Sequence, residues 1–286
     1  MSEIKKYLAY EGRINIICAE TTDVVEEARK IHDLSPVATA AFGRVLTMAA
    51  IMSTRIKGDE SITIQIKGNG PIGNITCVYN GENEVKGFVG NPIIDLPLKS
   101  NGKLDVGGAV GKEGFLYVIR DMKLKEQYVG VTPLVSGEIA EDFTKYFAES
   151  EQTPCVVALG VLVDKDGVKK AGGYFITLMP DAKEEDIEKL ENNLKNIPSV
   201  TEMLDSNKSL QEIAETITGD DNLMVMLGDI NPKYKCDCSK ERFIKNIEKL
   251  GKDDIDKLYE NGDTEIETVC QFCNKKYHIR RDEIKK

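Results

Sequence analysis

The spacing of hydrophobic positions changes several times along the 286-residue chain, and each change marks an element or a boundary. Thr22-Asp23 opens a short helical pattern carried by Val25, Ala28 and Ile31. Ser35-Pro36 then supplies an N-cap and a first-turn proline for VATAAFGRVLTMAAIM, an apolar, alanine-rich helix. After Gly58 the period falls to two. Ile62, Ile64 and Ile66 alternate with Thr63, Gln65 and Lys67, the pattern of a half-buried strand. Further strand-like runs follow: ITCVYN, EVKGFVG, FLYVIRDM, YVGVTPLV, VVALGVLVD and AGGYFITLMP, most of them separated by glycine-containing turns. One helix, SGEIAEDFTKYFAES, interrupts them. Ser136 is placed to cap it, Glu138 falls in its first turn, and Ile139, Phe143 and Phe147 share a face.

Beyond residue 180 the pattern is different in kind. Residues 181–231 contain no Phe, Tyr or Trp but keep helical spacing, with Ile187, Leu190, Leu194 and Ile197 on one face and Leu210, Ile213 and Ile217 on another. Helices this short with stripes this thin are ordered only when docked on a neighbour. Residues 232–286 make a third unit, too small to be stable without a staple. The chain therefore reads as an α+β domain over 1–180, a helical linker over 181–231 and a small C-terminal domain over 232–286.

Charge sharpens that division. The chain carries a formal charge of −10, and 13 acidic residues against four lysines fall between Asp181 and Asn231. A chain this acidic lacks the clustered cations of a phosphate-backbone binder, so no nucleic-acid partner is expected. No stretch approaches the roughly 18–20 uninterrupted apolar residues of a membrane span. The segment MSEIKKYLAYEGRINII has no apolar core of a signal peptide. The expected location is cytoplasmic, with no membrane partner.

In a reducing compartment the seven cysteines point to metal or redox chemistry rather than a disulfide framework. Four of them are clustered: Cys236 and Cys238 in KCDCSKERF, and Cys270 and Cys273 in VCQFCNKKYH. Two close pairs with enough intervening chain to fold back make the four-thiolate zinc pattern, because tetrahedral zinc takes four ligands and each pair pre-organises two. Zinc contributes on the order of 10–16 kcal/mol in zinc-finger peptides, more than a unit this small draws from its own core. Lys233, Lys235, Lys240, Lys275 and Lys276 lie within a few residues and favour thiolate forms. His278 is an ordinary strand residue beside four better ligands. Each cysteine pair can also close on itself as a disulfide, Cys270–Cys273 through a CxxC ring and Cys236–Cys238 through a smaller, strained one. Oxidation would then remove the metal ligands, the folding energy of the unit and the support of the linker.

Other features carry no site. Gly68-Asn69-Gly70-Pro71-Ile72-Gly73 matches a dinucleotide fingerprint but precedes a strand-like run, so it reads as a β-turn. Cys18, Cys77 and Cys155 stand singly in apolar, strand-like surroundings and read as small hydrophobes. His32 has no cysteine or serine partner in sequence. Two rival functions remain for the cysteines. A thiol-disulfide oxidoreductase would need its CxxC to open a helix, whereas strand-like TEIETV and KKYHI flank this one. A zinc-ribbon binding module would sit poorly beside the acidic linker.

The chain resembles the redox-regulated bacterial chaperone family called the 33 kDa chaperonin, or heat-shock protein 33, over essentially its whole length. The resemblance rests on CDCSKERF and CQFCNKKYH with 31 residues between the pairs, and on KGFVGNP (86–92), SGEIAEDFTKYFAESEQTP (136–154), LGVLVDKDG (159–167) and AGGYFITLMP (171–180). It implies an N-terminal domain of crossed β-sheets with flanking helices. It further implies an ATP-independent holdase, not an enzyme, that is inactive while Cys236, Cys238, Cys270 and Cys273 hold one zinc per chain in the reduced state. Peroxide or hypochlorous acid under unfolding conditions would form the Cys236–Cys238 and Cys270–Cys273 disulfides. Zinc would leave, the linker would open, and dimers would bind unfolding client proteins before passing them to ATP-dependent foldase chaperones. No short motif defines the client-binding surface, so no client-binding residue is assigned.

Overall fold

In the computed structural model, which describes residues 2–260 and 264–285 and only the backbone over 227–229, the chain divides into two compact units, Met1–Tyr234 and Lys235–Lys286. The first unit opens with β1 (Glu3–Ala9), β2 (Ile14–Glu20), α1 (Thr22–His32) and α2 (Pro36–Met52). Next come β3 (Ser61–Gly68), β4 (Asn74–Asn80), β5 (Glu84–Val89), α3 (Val106–Val110), β6 (Gly114–Asp121) and β7 (Tyr128–Pro133). Then follow α4 (Ala140–Glu149), β8 (Cys155–Asp164), β9 (Gly167–Leu178), α5 (Glu184–Leu194), α6 (Val200–Asp205), α7 (Leu210–Thr218), β10 (Met224–Ile230) and β11 (Lys233–Tyr234). The strands form a five-stranded sheet, β10-β1-β2-β9-β8, and a six-stranded sheet, β11-β5-β4-β3-β6-β7. All pairings are antiparallel except β11 with β5.

Helix α2 is apolar all round because it touches both sheets: β2, β8 and β9 of one and β3, β4 and β5 of the other. With the turn that follows it, it is also long and apolar enough to cross a membrane by length and composition, though Arg44 interrupts it and 89% of that window is buried in this core. Ser35 does stand at its N-cap. Its hydroxyl, however, accepts the Ile94 amide (3.2 Å) rather than a helix amide. Helix α1 runs as expected, although Val24 is buried beside Val25 and Ala28 while Ile31 is only half-buried.

Strands β1 and β2 were not marked by alternation, and the reason lies in the layers. β2 is buried on both faces, so INIICAE does not alternate and carries the unbroken apolar run Ile16–Ala19. Ile17 and Ala19 face the core around α2, whereas Ile14, Ile16 and Cys18 face a second core formed with α5, α6 and α7. Phe175 and Ile176 of β9 divide in the same way.

The acidic 181–231 segment is thus docked as a layer on the five-stranded sheet. Leu190, Met203, Leu204, Leu210, Ile213, Ala214 and Ile217 are buried against Tyr7, Ile14, Ile16, Cys18, Tyr174 and Ile176. The sheet is shaped for it. A Cβ on Gly160 would lie 2.8 Å from Thr201 Cγ2, and one on Gly172 would lie 2.6 Å from Leu204 Cδ1. Polar contacts from the β1–β2 turn add to this. Arg13 Nε donates to Asp186 on α5 (2.6 Å), Tyr10 N donates to Asp220 (2.6 Å), and the Tyr10 hydroxyl donates to the Thr218 carbonyl. Ser199 and Ser209 cap α6 and α7 through boxes with Glu202 and Glu212. The segment is not helical throughout, since its last residues form β10 on the open edge of β1.

Helix α4 begins at Ala140 rather than near Ser136. Asp142 does the capping. Its carboxylate accepts the amides of Val135 (2.7 Å), Ser136 (3.2 Å) and Ile139 (2.9 Å), so an acidic residue inside the helix gathers the preceding turn. The Gly68–Gly73 segment is the expected turn between β3 and β4. Gly70 and Ile72 donate to the Val110 and Ala109 carbonyls (2.9 and 3.0 Å), and a Cβ on Gly70 would lie 2.3 Å from the Ala109 oxygen. Backbone packing, not nucleotide binding, requires that glycine.

Candidate metal centre

The second unit contains α8 (Lys240–Ile247), α9 (Lys252–Leu258), β12 (Glu265–Val269) and β13 (Lys276–Arg280). Its core is small: Ile255, Tyr259, Ile279 and Ile284 are buried, with Phe243, Ile244, Ile247 and Ile266 packed partly against them. At about 0.8 kcal/mol per buried CH₂, so few side chains offset little of the ordering entropy of the chain around them.

Strands β12 and β13 pair from Glu265–Arg280 to Val269–Lys276, and Cys270 to Lys275 form the turn between them. The turn is tight because Cys270 N donates to Lys275 O (2.9 Å), while Cys273 N and Asn274 N both donate to Cys270 O (3.3 and 2.8 Å). Asn274 takes the left-handed conformation (φ 56°) that closes it, a role asparagine tolerates. Cys236 and Cys238 lie on the segment leading into α8. The N-cap of that helix is Ser239, whose hydroxyl accepts the Arg242 amide at 3.3 Å.

These two segments bring the four sulfurs together, all within 4.8 Å of one another. Two approaches run between the pairs: Cys236 to Cys270 at 3.7 Å and Cys238 to Cys273 at 3.3 Å. A disulfide needs about 2.05 Å, so all four are thiols in this arrangement. Tetrahedral zinc with Zn–S near 2.3 Å sets its sulfurs about 3.8 Å apart, and the observed set brackets that separation. Cys270 is buried and the other three are half-buried.

The sulfurs are not equivalent. Burial pushes the Cys236 and Cys273 thiols upward. Burial also acts on Cys238, but hydrogen bonds from Tyr277 and the neighbouring thiols outweigh it and bring that thiol down to about 7. The Tyr277 hydroxyl lies between two acceptors of one residue, 3.1 Å from Cys238 Sγ and 2.9 Å from the Cys238 carbonyl oxygen, and its single proton can serve either. Of the five nearby lysines, Lys240 pairs with Glu283 (2.7 Å) and Lys276 with Glu267 (3.0 Å), while Lys275 lies over the Tyr277 ring (5.3 Å to its centroid). Hydrogen bonding, rather than the lysine charge expected from sequence, favours the Cys238 thiolate. Tyr277 had no signal in the sequence beyond its place four residues after Cys273.

The remaining candidates fall outside the cluster. His278 is an exposed β13 residue whose Nδ1 lies 2.9 Å from Glu265. Cys18 and Cys77 are buried and their thiols are raised by desolvation, while Cys155 is pushed up to about 12 by the same cause, so none is primed to react. His32 is paired, though not with a nucleophile: its Nε2 lies 2.9 Å from the Tyr234 hydroxyl. Cys270 and Cys273 sit in a hairpin turn and not at a helix N-terminus, the position an oxidoreductase CxxC occupies.

Sheet, linker layer and four-sulfur cluster together have known counterparts among chaperones. The model of the "Hsp33 protein" family matches residues 2–280. A protein named 33 kDa chaperonin from Clostridium botulinum is 47% identical over 284 residues, covering 99% of this chain and 96% of its own. One of the same name from Caldanaerobacter subterraneus subsp. tengcongensis is 48% identical over 283 residues, covering 98% and 96%. The crystal structure of the 33 kDa chaperonin from Thermotoga maritima superimposes with a TM-score of 0.90 at 38% identity, over 99% of this chain and 96% of that one. The fold and its relatives are those of a chaperone, not an enzyme. The chain belongs to the Hsp33 family.

Proposed function

We propose that this chain is a redox-regulated, ATP-independent holdase, held inactive while Cys236, Cys238, Cys270 and Cys273 bind one zinc ion in the reduced state. The observation that carries the reading is the four-sulfur geometry, with approaches of 3.3 and 3.7 Å inside a 4.8 Å cluster. Bound there, zinc would supply folding energy to a unit whose apolar core cluster, among the described residues, is Ile255, Tyr259, Ile279 and Ile284. The same sulfurs cannot both ligate and pair. Closing Cys270–Cys273 and Cys236–Cys238 would take four electrons from four thiolates, and two molecules of peroxide, with four protons from solvent, would become four of water. With the donors consumed, the metal is no longer held and the second unit loses its staple.

The linker is the element poised to respond. Residues 181–231 are strongly acidic, and their order rests on docking against Tyr7, Ile14, Ile16 and Tyr174. Release would uncover that apolar face and the stripes of α5–α7 for unfolding client proteins. Activation as a homodimer, hand-over of clients to ATP-dependent foldases and a cytoplasmic location complete the proposal. No nucleic-acid or membrane partner is part of it.

The test follows zinc release by a chromogenic chelator alongside light scattering of a thermally unfolding client. Peroxide-treated protein is expected to lose one zinc per chain and to suppress aggregation, and thiol reductant to reverse both. Zinc loss without suppression defeats the chaperone reading. Turnover of an insulin-type disulfide substrate would instead favour an oxidoreductase.

A further inference from the structure

Of the four sulfur-bearing residues, Cys238 has both its side chain and its own backbone carbonyl held by one neighbouring group. The Tyr277 hydroxyl lies 3.1 Å from Cys238 Sγ and 2.9 Å from Cys238 O. The phenol is itself fixed. Tyr277 is buried in β13, opposite Thr268 in the hairpin register, with Phe243 of α8 packed on its ring at a centroid distance of 5.1 Å. Lys275 covers the ring at 5.3 Å. A hydroxyl on a buried ring in a paired strand has little freedom, so it clamps the residue it bonds.

The clamp matters because closing Cys236–Cys238 asks more of that residue than holding a metal does. The two sulfurs must approach to about 2.05 Å with a specific dihedral, across a single intervening residue. That requires Cys238 to turn its side chain and shift its carbonyl, and both movements break contacts to Tyr277. The Cys270–Cys273 pair is held instead by its own turn, where the Cys270 carbonyl accepts the Cys273 and Asn274 amides and the Cys270 amide donates to Lys275 O.

We propose that Tyr277 is a positioning residue that restrains Cys238 in the ligand geometry and selectively slows formation of the Cys236–Cys238 disulfide. This rests on the zinc-thiolate reading above and adds the residue that makes the two pairs unequal. In the restrained step, two thiolates lose two electrons, one S–S bond forms, and one peroxide O–O bond breaks, taking two protons from solvent to give two waters. The ring and its packing are structural; the hydroxyl carries the restraint.

The experiment uses the full-length reduced protein loaded with zinc, treated with peroxide and quenched with an alkylating agent at intervals. Mass spectrometry then gives the rates of the Cys236–Cys238 and Cys270–Cys273 disulfides separately. Losing one hydrogen bond, about 0.5–1.5 kcal/mol, predicts that Tyr277→Phe raises the ratio of the first rate to the second by about 2- to 12-fold. Phe243→Leu, which disturbs the ring but keeps the hydroxyl, should move the ratio much less. Thiolate-to-metal absorption of the cobalt-loaded protein checks that each variant still assembles the site. Should Tyr277→Phe fail to assemble it, 2,3-difluorotyrosine at position 277, a near-isosteric and stronger donor, should lower the ratio instead. An unchanged ratio in whichever of these proteins retains the metal overturns the proposal. Failure to bind metal in the wild type would defeat the zinc-thiolate reading itself, which keeps the two outcomes apart.

Discussion

Ile217 is the point at which the proposed release of the linker can be worked out most directly. It is fully buried on α7, a nine-residue helix whose contact with β1 and β2 runs through Leu210, Ile213, Ala214 and Ile217. A helix of that length has negligible stability alone, so its order comes from this packing. Ile217→Ala should remove about 2–5 kcal/mol through lost burial and the cavity left behind. If α7 opens by local undocking, amide exchange over 210–218 accelerates about 30- to 4,000-fold. The assay is hydrogen exchange with mass spectrometry on reduced, zinc-loaded protein. Peptides from β3, β4 and β6 should keep wild-type protection, and the variant should suppress client aggregation without oxidant. Unchanged exchange in 210–218, or equal loosening of the six-stranded sheet, would refute the view of the linker as a separately releasable layer.

Further predictions address the remaining contacts. Cys273→Ser should bind less than one zinc per chain and lose exchange protection over residues 235–285 while the first unit melts as before; full retention of metal would remove the cysteine from the ligand set. Gly160→Ala should displace α6, because the new Cβ would lie 2.8 Å from Thr201 Cγ2, and the loss of protection should be confined to residues near 200–205. Hydrogen bonding to Arg13 holds the Asp186 carboxyl below its ordinary value. A lowered folded pKa means that this contact stabilises docking above the unfolded carboxylate pKa and is lost as pH falls through the folded one. The protection of α5 relative to the intrinsic exchange rate at each pH should therefore fall on acidification below about pH 4, the ordinary aspartate range. Arg13→Ala should show fast exchange already at pH 7 and a flatter acid dependence.

Much of the candidate site was legible because its signal is local in sequence. Cys236, Cys238, Cys270 and Cys273 declare themselves by spacing, and the four-thiolate chemistry follows from residue type. Ile62, Ile64 and Ile66 likewise revealed their strand, since one face is buried and the other wet. What misled were positions whose surroundings come from elsewhere in the chain. Ser136 looks like a cap, yet Asp142 takes the role because its carboxylate reaches back to four preceding amides. Lysines beside the cysteines suggest electrostatic support, yet Lys240 and Lys276 are committed to Glu283 and Glu267.

From composition and periodicity alone come the α+β class, the acidity of the linker and the pairing of the cysteines, all properties of residues near one another along the chain. Only tertiary structure decides that β2 is covered on both faces, that β10 leaves the helical segment for the free edge of β1, and that Tyr277 reaches Cys238 across 39 residues. The physical reason is the same in each case. Period and spacing record which side of an element is buried, whereas the identity of the group that buries it depends on loop closures that no local pattern encodes.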